Sequence, residues 1–408
     1  MQRHRVVNSV RLLSVLGLCL LLNACVNQTI KSTSAPPVQS PTTTVSEEQL
    51  LDVAVVVFDP GLDDYDEDEA VYPEVRKAEA RFMPMQLSQA MQDSGAWGAV
   101  RVVPADIEIT DLIVRGKILH SDGETLQLAI TATDASGEVW LDKTYTGEAS
   151  RYAYQSPTRN TNDPFQAVYN TIANDLLIEL EELSPKERAD VRVITELRFA
   201  RSFSPDAFDG YLKQSRNGKF EVQRLPAEND PMLVRVRQIR ERDHVYVDTL
   251  QTYYETFDAQ MAAPYQDWRS ASYEEVQAME RLQAESTRNL IVGGLAVLGG
   301  LAAATTGDSQ TSRVAGQVAV LGGGLLVKSG LDKRNEAQIH VQALEELGAS
   351  LEAEVAPQVI DLEDRTVTLS GNVEEQYAQW RALLADIYRA EIGDLELPED
   401  SARTADTL

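Results

Sequence analysis

The chain has 408 residues, enough for two or three domains, and its 64 Asp and Glu against 37 Lys and Arg leave a net charge of −27. That excess excludes a nucleic-acid-binding role and a generally polybasic membrane surface, and it favours solubility and attraction of cations. The only two cysteines, Cys19 and Cys25, lie within the first 25 residues, so no disulfide can cross-link the remainder.

At the amino terminus, Arg3, Arg5 and Arg11 flank or precede the apolar run 12–22, the charged and hydrophobic regions of a secretory signal. A run this short makes a poor transmembrane helix. It closes on Leu22-Asn23-Ala24-Cys25, which resembles the lipobox of bacterial lipoproteins, with Leu three before and a small residue one before the cysteine. Asn23 departs from the usual small or β-branched residue. The resemblance implies a signal peptide over 1–24, acylation of the Cys25 thiol and of the new amine, and, because Val26 follows in place of Asp, sorting to the outer membrane with the chain facing the periplasm. Loss of the three arginines takes the charge to about −30. Several acyl chains on one residue hold stably where one binds marginally. No cofactor other than this covalent lipid is expected. Residues 25–49 are rich in Thr, Ser, Pro and Gln and are expected to form a flexible tether, having too few large apolar side chains to bury a core.

Residues 50–150 read as an α/β module. The β-branched run 51–58 suits a strand buried on both faces. After an acidic loop, Ala78, Phe82, Met85, Leu87 and Met91 recur at helical spacing, with Pro84 expected to kink or split the helix and Ser94-Gly95 to end it. Strands follow at 99–103, 111–119, 126–133 and 138–145, the last two joined by Asp134-Ala135-Ser136-Gly137, a hairpin turn with glycine available for positive φ. The order, with a helix leading into Gly95-Ala96-Trp97-Gly98-Ala99-Val100-Arg101-Val102-Val103 and later Val114-Arg115-Gly116, resembles the periplasmic α/β module of the curli secretion lipoprotein family and the amino-terminal domain of TolB. It implies a scaffold for assembly or docking without a catalytic site.

Residues 151–289 read as helical. Asp163-Pro164 opens a helix with Phe165, Val168, Ile172, Leu176, Leu177 and Leu180 on one side, and Ser184-Pro185 starts another. A loop around Gly210 and Gly218 leads to a long pattern from Pro231: Leu233, Val236, Ile239, Tyr246, Leu250, Tyr253, Phe257 and Met261, with bundle-like spacings. Arg235, Arg237, Arg240 and Arg242 line a solvated face or a basic docking patch.

Residues 290–331 read as a glycine-rich helical hairpin, with apolar arms at 290–304 and 314–331 around a polar turn. Gly293 and Gly300 are seven apart, as are Gly316, Gly323 and Gly330, and a seven-residue step drifts only about 20° around a helix, so each set shares a face. Exposed helical glycine costs about 1 kcal/mol, so such a line asks for close backbone approach in return. At about 1.5 Å per residue the arms span roughly 22 and 27 Å, short of a hydrocarbon core near 30 Å. Three packings answer the pattern: a helical pair buried on the fold, insertion of the tip in a membrane, or self-association through the tips.

Residues 332–396 read as a helix followed by a strand, turn, strand and amphipathic helix carrying Tyr377, Trp380, Leu383, Leu384 and Ile387. This part faintly resembles half of a BON-type or secretin-type module. It is too short to bury its own core and is expected to dock elsewhere. Residues 397–408 read as a disordered tail. The fold class is therefore α+β: an N-terminal α/β module with a mixed sheet, a long helical region with the glycine-rich hairpin, and a small C-terminal β-hairpin plus helix.

No nucleophile, phosphate-loop or dinucleotide motif is present, and His120, His244 and His340 lack zinc spacing. Asp64, Asp66 and Asp68 alternate as in a calcium loop, but Glu69 stands where the turn needs Gly and Val75 where a Glu should close it, so a solvated acidic loop is the simpler reading. The expectation is a non-enzymatic outer-membrane lipoprotein that serves as a structural or assembly component of an envelope complex. Its partners are outer-membrane lipid and a second copy or another envelope protein, with Gly293, Gly300, Gly316, Gly323 and Gly330 as contacts. The alternative is a monomeric adaptor holding a protein or glycan through the α/β module.

Overall fold

The structure, a computed structural model, describes residues 27–31, 35–43, 46–63, 72–104, 110–154, 163–227, 229–303, 358–361 and 366–393. Its elements are β1 (Asn27–Lys31), β2 (Val53–Val56), α1 (Pro73–Ser94), β3 (Val100–Val103), β4 (Leu112–Ser121), β5 (Thr125–Asp134) and β6 (Val139–Glu148). Then follow α2 (Gln166–Glu182), α3 (Pro185–Phe203), the short α4 (Pro205–Phe208), β7 (Leu212–Gln214), β8 (Phe220–Val222) and α5 (Pro231–Ala303). The described chain ends with β9 (Gln358–Asp361), β10 (Thr366–Leu369) and α6 (Val373–Gly393). The class is α+β.

The main sheet has the order β1-β6-β5-β4-β2-β3 and is mixed. β2 runs parallel to β3 and β4, β4 and β6 are antiparallel to β5, and β1 is parallel to β6, so every strand but β5 points the same way. One end of the sheet therefore holds the starts of those strands and the turn between β5 and β6, where Gly137 takes φ +87° as that turn needs. The turn between β4 and β5 lies at the other end.

Pro84 does not split α1, which runs unbroken from Pro73 to Ser94. Proline removes one N–H and leaves the carbonyl four residues earlier without its helical donor. That carbonyl, on Ala80, accepts the Phe58 N–H at 2.9 Å, so the strand-side loop satisfies the helix.

Within 25–49, expected as a flexible tether, the described residues 27–31 add a strand to the sheet and residues 36–42 bond along a helix. β1 pairs with β6 from Asn27 opposite Thr144 to Lys31 opposite Glu148. Asn170 and Asn174 of α2 donate to the Pro36 and Pro37 carbonyls, Asn174 also accepts the Gln39 N–H, and Glu181 accepts both Thr42 donors. Composition missed this because backbone pairing and asparagine side chains hold much of the segment, with only Ile30 and Val38 of its described residues adding apolar contact to the core.

α5 crosses the module from the end where the strands start to the end where β4 turns into β5. Leu233, Val236, Ile239, Tyr246, Val247, Leu250, Tyr254, Phe257, Met261, Tyr265 and Trp268 are buried along it, each large apolar side chain contributing about 1.5–3 kcal/mol. Gln251 acts as a strand mimic on β3: its side chain accepts the Val102 N–H at 3.0 Å and donates to the Val102 carbonyl at 2.6 Å. This covers a sheet edge that would otherwise invite pairing. Of the arginines at its start, Arg237 grips Glu196 of α3 while Arg240 is half-buried. α6 docks on α5, with the Trp380 ring stacked on Tyr246 at 4.7 Å and its Nε1–H donated to Asp243, as a module too small for its own core requires. The loop expected near Gly210 and Gly218 carries the β7–β8 hairpin instead.

Candidate functional site at the root of the long helix

The densest buried chemistry lies where α5 leaves the sheet. Glu79 of α1 is fully buried on a face otherwise built of Ala78, Phe82 and Met83. Its Oε1 accepts the Ser121 hydroxyl at 2.6 Å and the Tyr265 hydroxyl at 2.5 Å, and Arg76 Nε lies 3.4 Å from Oε2. Burial pushes the Glu79 carboxyl up, against the pull of Arg76 and the two hydroxyls.

One turn further along α5, Arg269 has no exposed surface. Its Nη1 reaches Asp163 Oδ2 at 2.7 Å, and its guanidinium lies 3.9 Å from the Tyr265 ring and 4.9 Å from Phe165. Burial works against this cation, and Asp163 with the surrounding tyrosines outweighs it. Asp163 also accepts from Gln266 at 3.1 Å and from the Phe165 N–H at 2.8 Å, so it turns the chain into α2 while holding α5. Two buried cations and two buried carboxylates thus balance, as low-dielectric surroundings demand.

Beside this knot the β4–β5 turn touches the helix backbone. The Gly123 N–H donates to Ser272 Oγ at 3.1 Å, and a Cβ on Gly123 would lie 2.1 Å from the Arg269 carbonyl oxygen. Tyr154 donates to the Gly123 carbonyl. Next to it opens a cleft of about 370 Å³ lined by Arg151, Tyr154, Ser270, Tyr273, Glu274, Gln277, Ala278 and Arg281. The Tyr154 and Tyr273 rings lie 5.2 Å apart. Two guanidiniums, two phenols and a carboxylate suit recognition of a polar group; the lining contains no imidazole, thiol or carboxylate pair.

Past Arg281 the α5 backbone continues for 22 residues to Ala303 and carries Gly293 and Gly300, two turns apart. Gly316, Gly323 and Gly330, with the rest of the expected return arm, lie outside the described residues, as do Cys25, His340 and the candidate calcium residues Asp64, Asp66 and Asp68. Asp59, at the edge of that acidic loop, accepts the Gly61 N–H at 2.8 Å and sits 3.9 Å from Lys117. His120 contacts Asp122 at 2.9 Å, and His244 lies on α5, its imidazole pushed down by burial and by Arg240 and Arg101. Among the described residues no group of three or more His, Cys, Asp or Glu could hold a metal ion, and no helix is long and apolar enough to cross a membrane.

Sequence reading did not single out Glu79, Asp163, Arg269 or the cleft residues as a site. The usable signals were a glutamate on an apolar helical face and an arginine four residues after Tyr265. Compared with known proteins, the chain matches no family model, no curated protein and no solved structure.

Proposed function

We propose that this chain is an outer-membrane lipoprotein, held by acyl chains on Cys25, that works as a structural or assembly component of an envelope complex and catalyses no reaction. Its glycine-rich segment meets a second copy or another envelope protein. The observation that carries this reading is the polarity of the fold. β1 begins beside Thr144 midway along β6 and runs in the direction of the parallel strands, and α5 leaves beside Gly123 at the end toward which those strands run. Beyond Arg281 the helix extends about 33 Å further with Gly293 and Gly300 on it. A lipid anchor joined to the edge strand and an apolar arm leaving the far end of the sheet suit a component that bridges.

Light scattering on the detergent-solubilised, lipidated protein, with and without residues 290–331, tests it. The expected result is a discrete oligomer that collapses to a monomer on deletion. A monomer in both cases favours the second reading, an adaptor whose partner binds at the Arg151–Arg281 cleft, which the described lining supports.

A further inference from the structure

The docking of β1 removes the slack between lipid and module. A free 25-residue tether could reach about 80 Å, but Cys25 is two residues from Asn27 and can lie no more than about 7 Å from it. Asn27 is opposite Thr144, midway along β6, and β1 runs parallel to β6 toward Glu148, so its first residue is the one nearer the β5–β6 turn. Given the reading of Cys25 as the lipid anchor, on which this inference rests, the module is held close to the bilayer, and the end of the sheet where the strands start is the end nearer the first residue of β1.

The β7–β8 hairpin lies at that end of the sheet and carries a local excess of basic side chains. The β7–β8 hairpin is fastened to the β5–β6 turn by the Phe220 N–H on the Ser136 carbonyl at 2.7 Å and by an ion pair between Lys219 and Glu138. Residues 211–224 hold four basic side chains and one acidic, in a chain of net charge −27. Lys213, Arg216 and Arg224 are exposed, Leu225 beside them is 66% exposed, and Val139 is 54% exposed. Arg198 and Arg201 stack over the Phe220 ring at 4.6 and 5.1 Å and add positive charge behind the hairpin.

We infer that the β7–β8 hairpin seats on anionic phospholipid headgroups of the anchoring membrane, with Lys213, Arg216 and Arg224 meeting phosphate and with Leu225 and Val139 entering the interface. Acyl chains and basic residues then act as two signals, and the second fixes orientation where the first supplies affinity. With the hairpin down, α5 leaves from the end of the module remote from that membrane.

The test uses the full mature lipidated protein carrying one added cysteine, Leu225→Cys beside the hairpin or Tyr152→Cys at the far end, where Tyr152 is also 66% exposed. Each is labelled with an environment-sensitive fluorophore and mixed with phosphatidylethanolamine vesicles, with or without phosphatidylglycerol, that carry a lipid-borne quencher. Both proteins are expected to sediment with vesicles, with residue 225 quenched well beyond residue 152 when phosphatidylglycerol is present. In the unacylated Cys25→Ser chain, K213E with R216E is expected to weaken partitioning onto the anionic vesicles about tenfold or more, at ~1 kcal/mol per basic side chain near such a surface. Equal quenching at the two positions in sedimenting protein overturns the hairpin surface and leaves the anchor standing. Failure of both proteins to sediment overturns the anchor and the inference with it.

Discussion

Under the sheet the buried side chains are mostly apolar, with Val55, Val102, Val114, Ile118 and Leu128 of the strands and Met83, Leu87 and Met91 of α1 all buried. The polar contacts of α1 with the strands include Ser121 on Glu79 and Gln92 on the Val100 carbonyl. The seam between α5 and the same module adds to its buried apolar face a longer series of polar pairs, at Gln251 on Val102, Asp258 on Gln86, Tyr265 on Glu79, Arg269 on Asp163 and Ser272 on Gly123. Apolar burial is non-directional and tolerates small slides, whereas buried polar pairs are satisfied at one register only. Apolar area thus serves both contacts, and along α5 the series of polar pairs also fixes the register. A helix that must carry its far end to a fixed place needs the second kind of contact.

The largest expected effect comes from removing the cation at the root of the helix. Arg269→Met leaves Asp163 and Glu79 buried with one guanidinium fewer, and denaturant unfolding should report a loss of about 3–5 kcal/mol. An unchanged midpoint would mean that apolar contacts alone hold α5. Gly123→Ala is expected to cost about 1–3 kcal/mol by forcing the turn off the Arg269 carbonyl. Its sharper signature is faster hydrogen exchange in α5 after Arg269 with the sheet amides unchanged; uniform acceleration would merge the two regions into one unit.

Asp258 tests the seam in the opposite direction. Burial pushes its carboxyl up from 3.8 to about 6 while Gln86 donates to it at 2.7 Å. Because the folded-state value is raised, the protonated form stabilises the fold; that contribution is full below the unfolded value near 3.8 and is lost as pH rises through about 6. Asp258→Asn should therefore stabilise the protein at neutral pH by about 1–2 kcal/mol, after allowance for partial exposure. It should also flatten the stability profile across that window, and thermal melts over the pH series would expose a retained slope. The smallest effect is expected away from the seam: Lys186→Ala breaks a 3.2 Å pair with Asp190 whose lysine is 86% exposed, and should shift stability by less than about 0.5 kcal/mol.

By itself the sequence determined what a short stretch of chain can state. Alternation over 111–119 and 126–133, the Asp134–Gly137 turn and the 3–4 spacing from Leu233 to Met261 each became the element their period implied, because side-chain direction repeats locally in helices and strands. Ser184 and Glu187 likewise close a capping box where the Ser-Pro start was read.

Only the tertiary structure decided how those elements meet. The Ala80 carbonyl freed by Pro84 is claimed by Phe58, the Thr- and Pro-rich stretch after Cys25 is claimed by β6 and by two asparagines of α2, and Glu79 finds Tyr265 across 186 positions. Each pairing depends on groups far apart in the chain whose partners carry no local periodicity. A buried donor or acceptor must be satisfied, but one residue's neighbourhood in sequence does not state by whom.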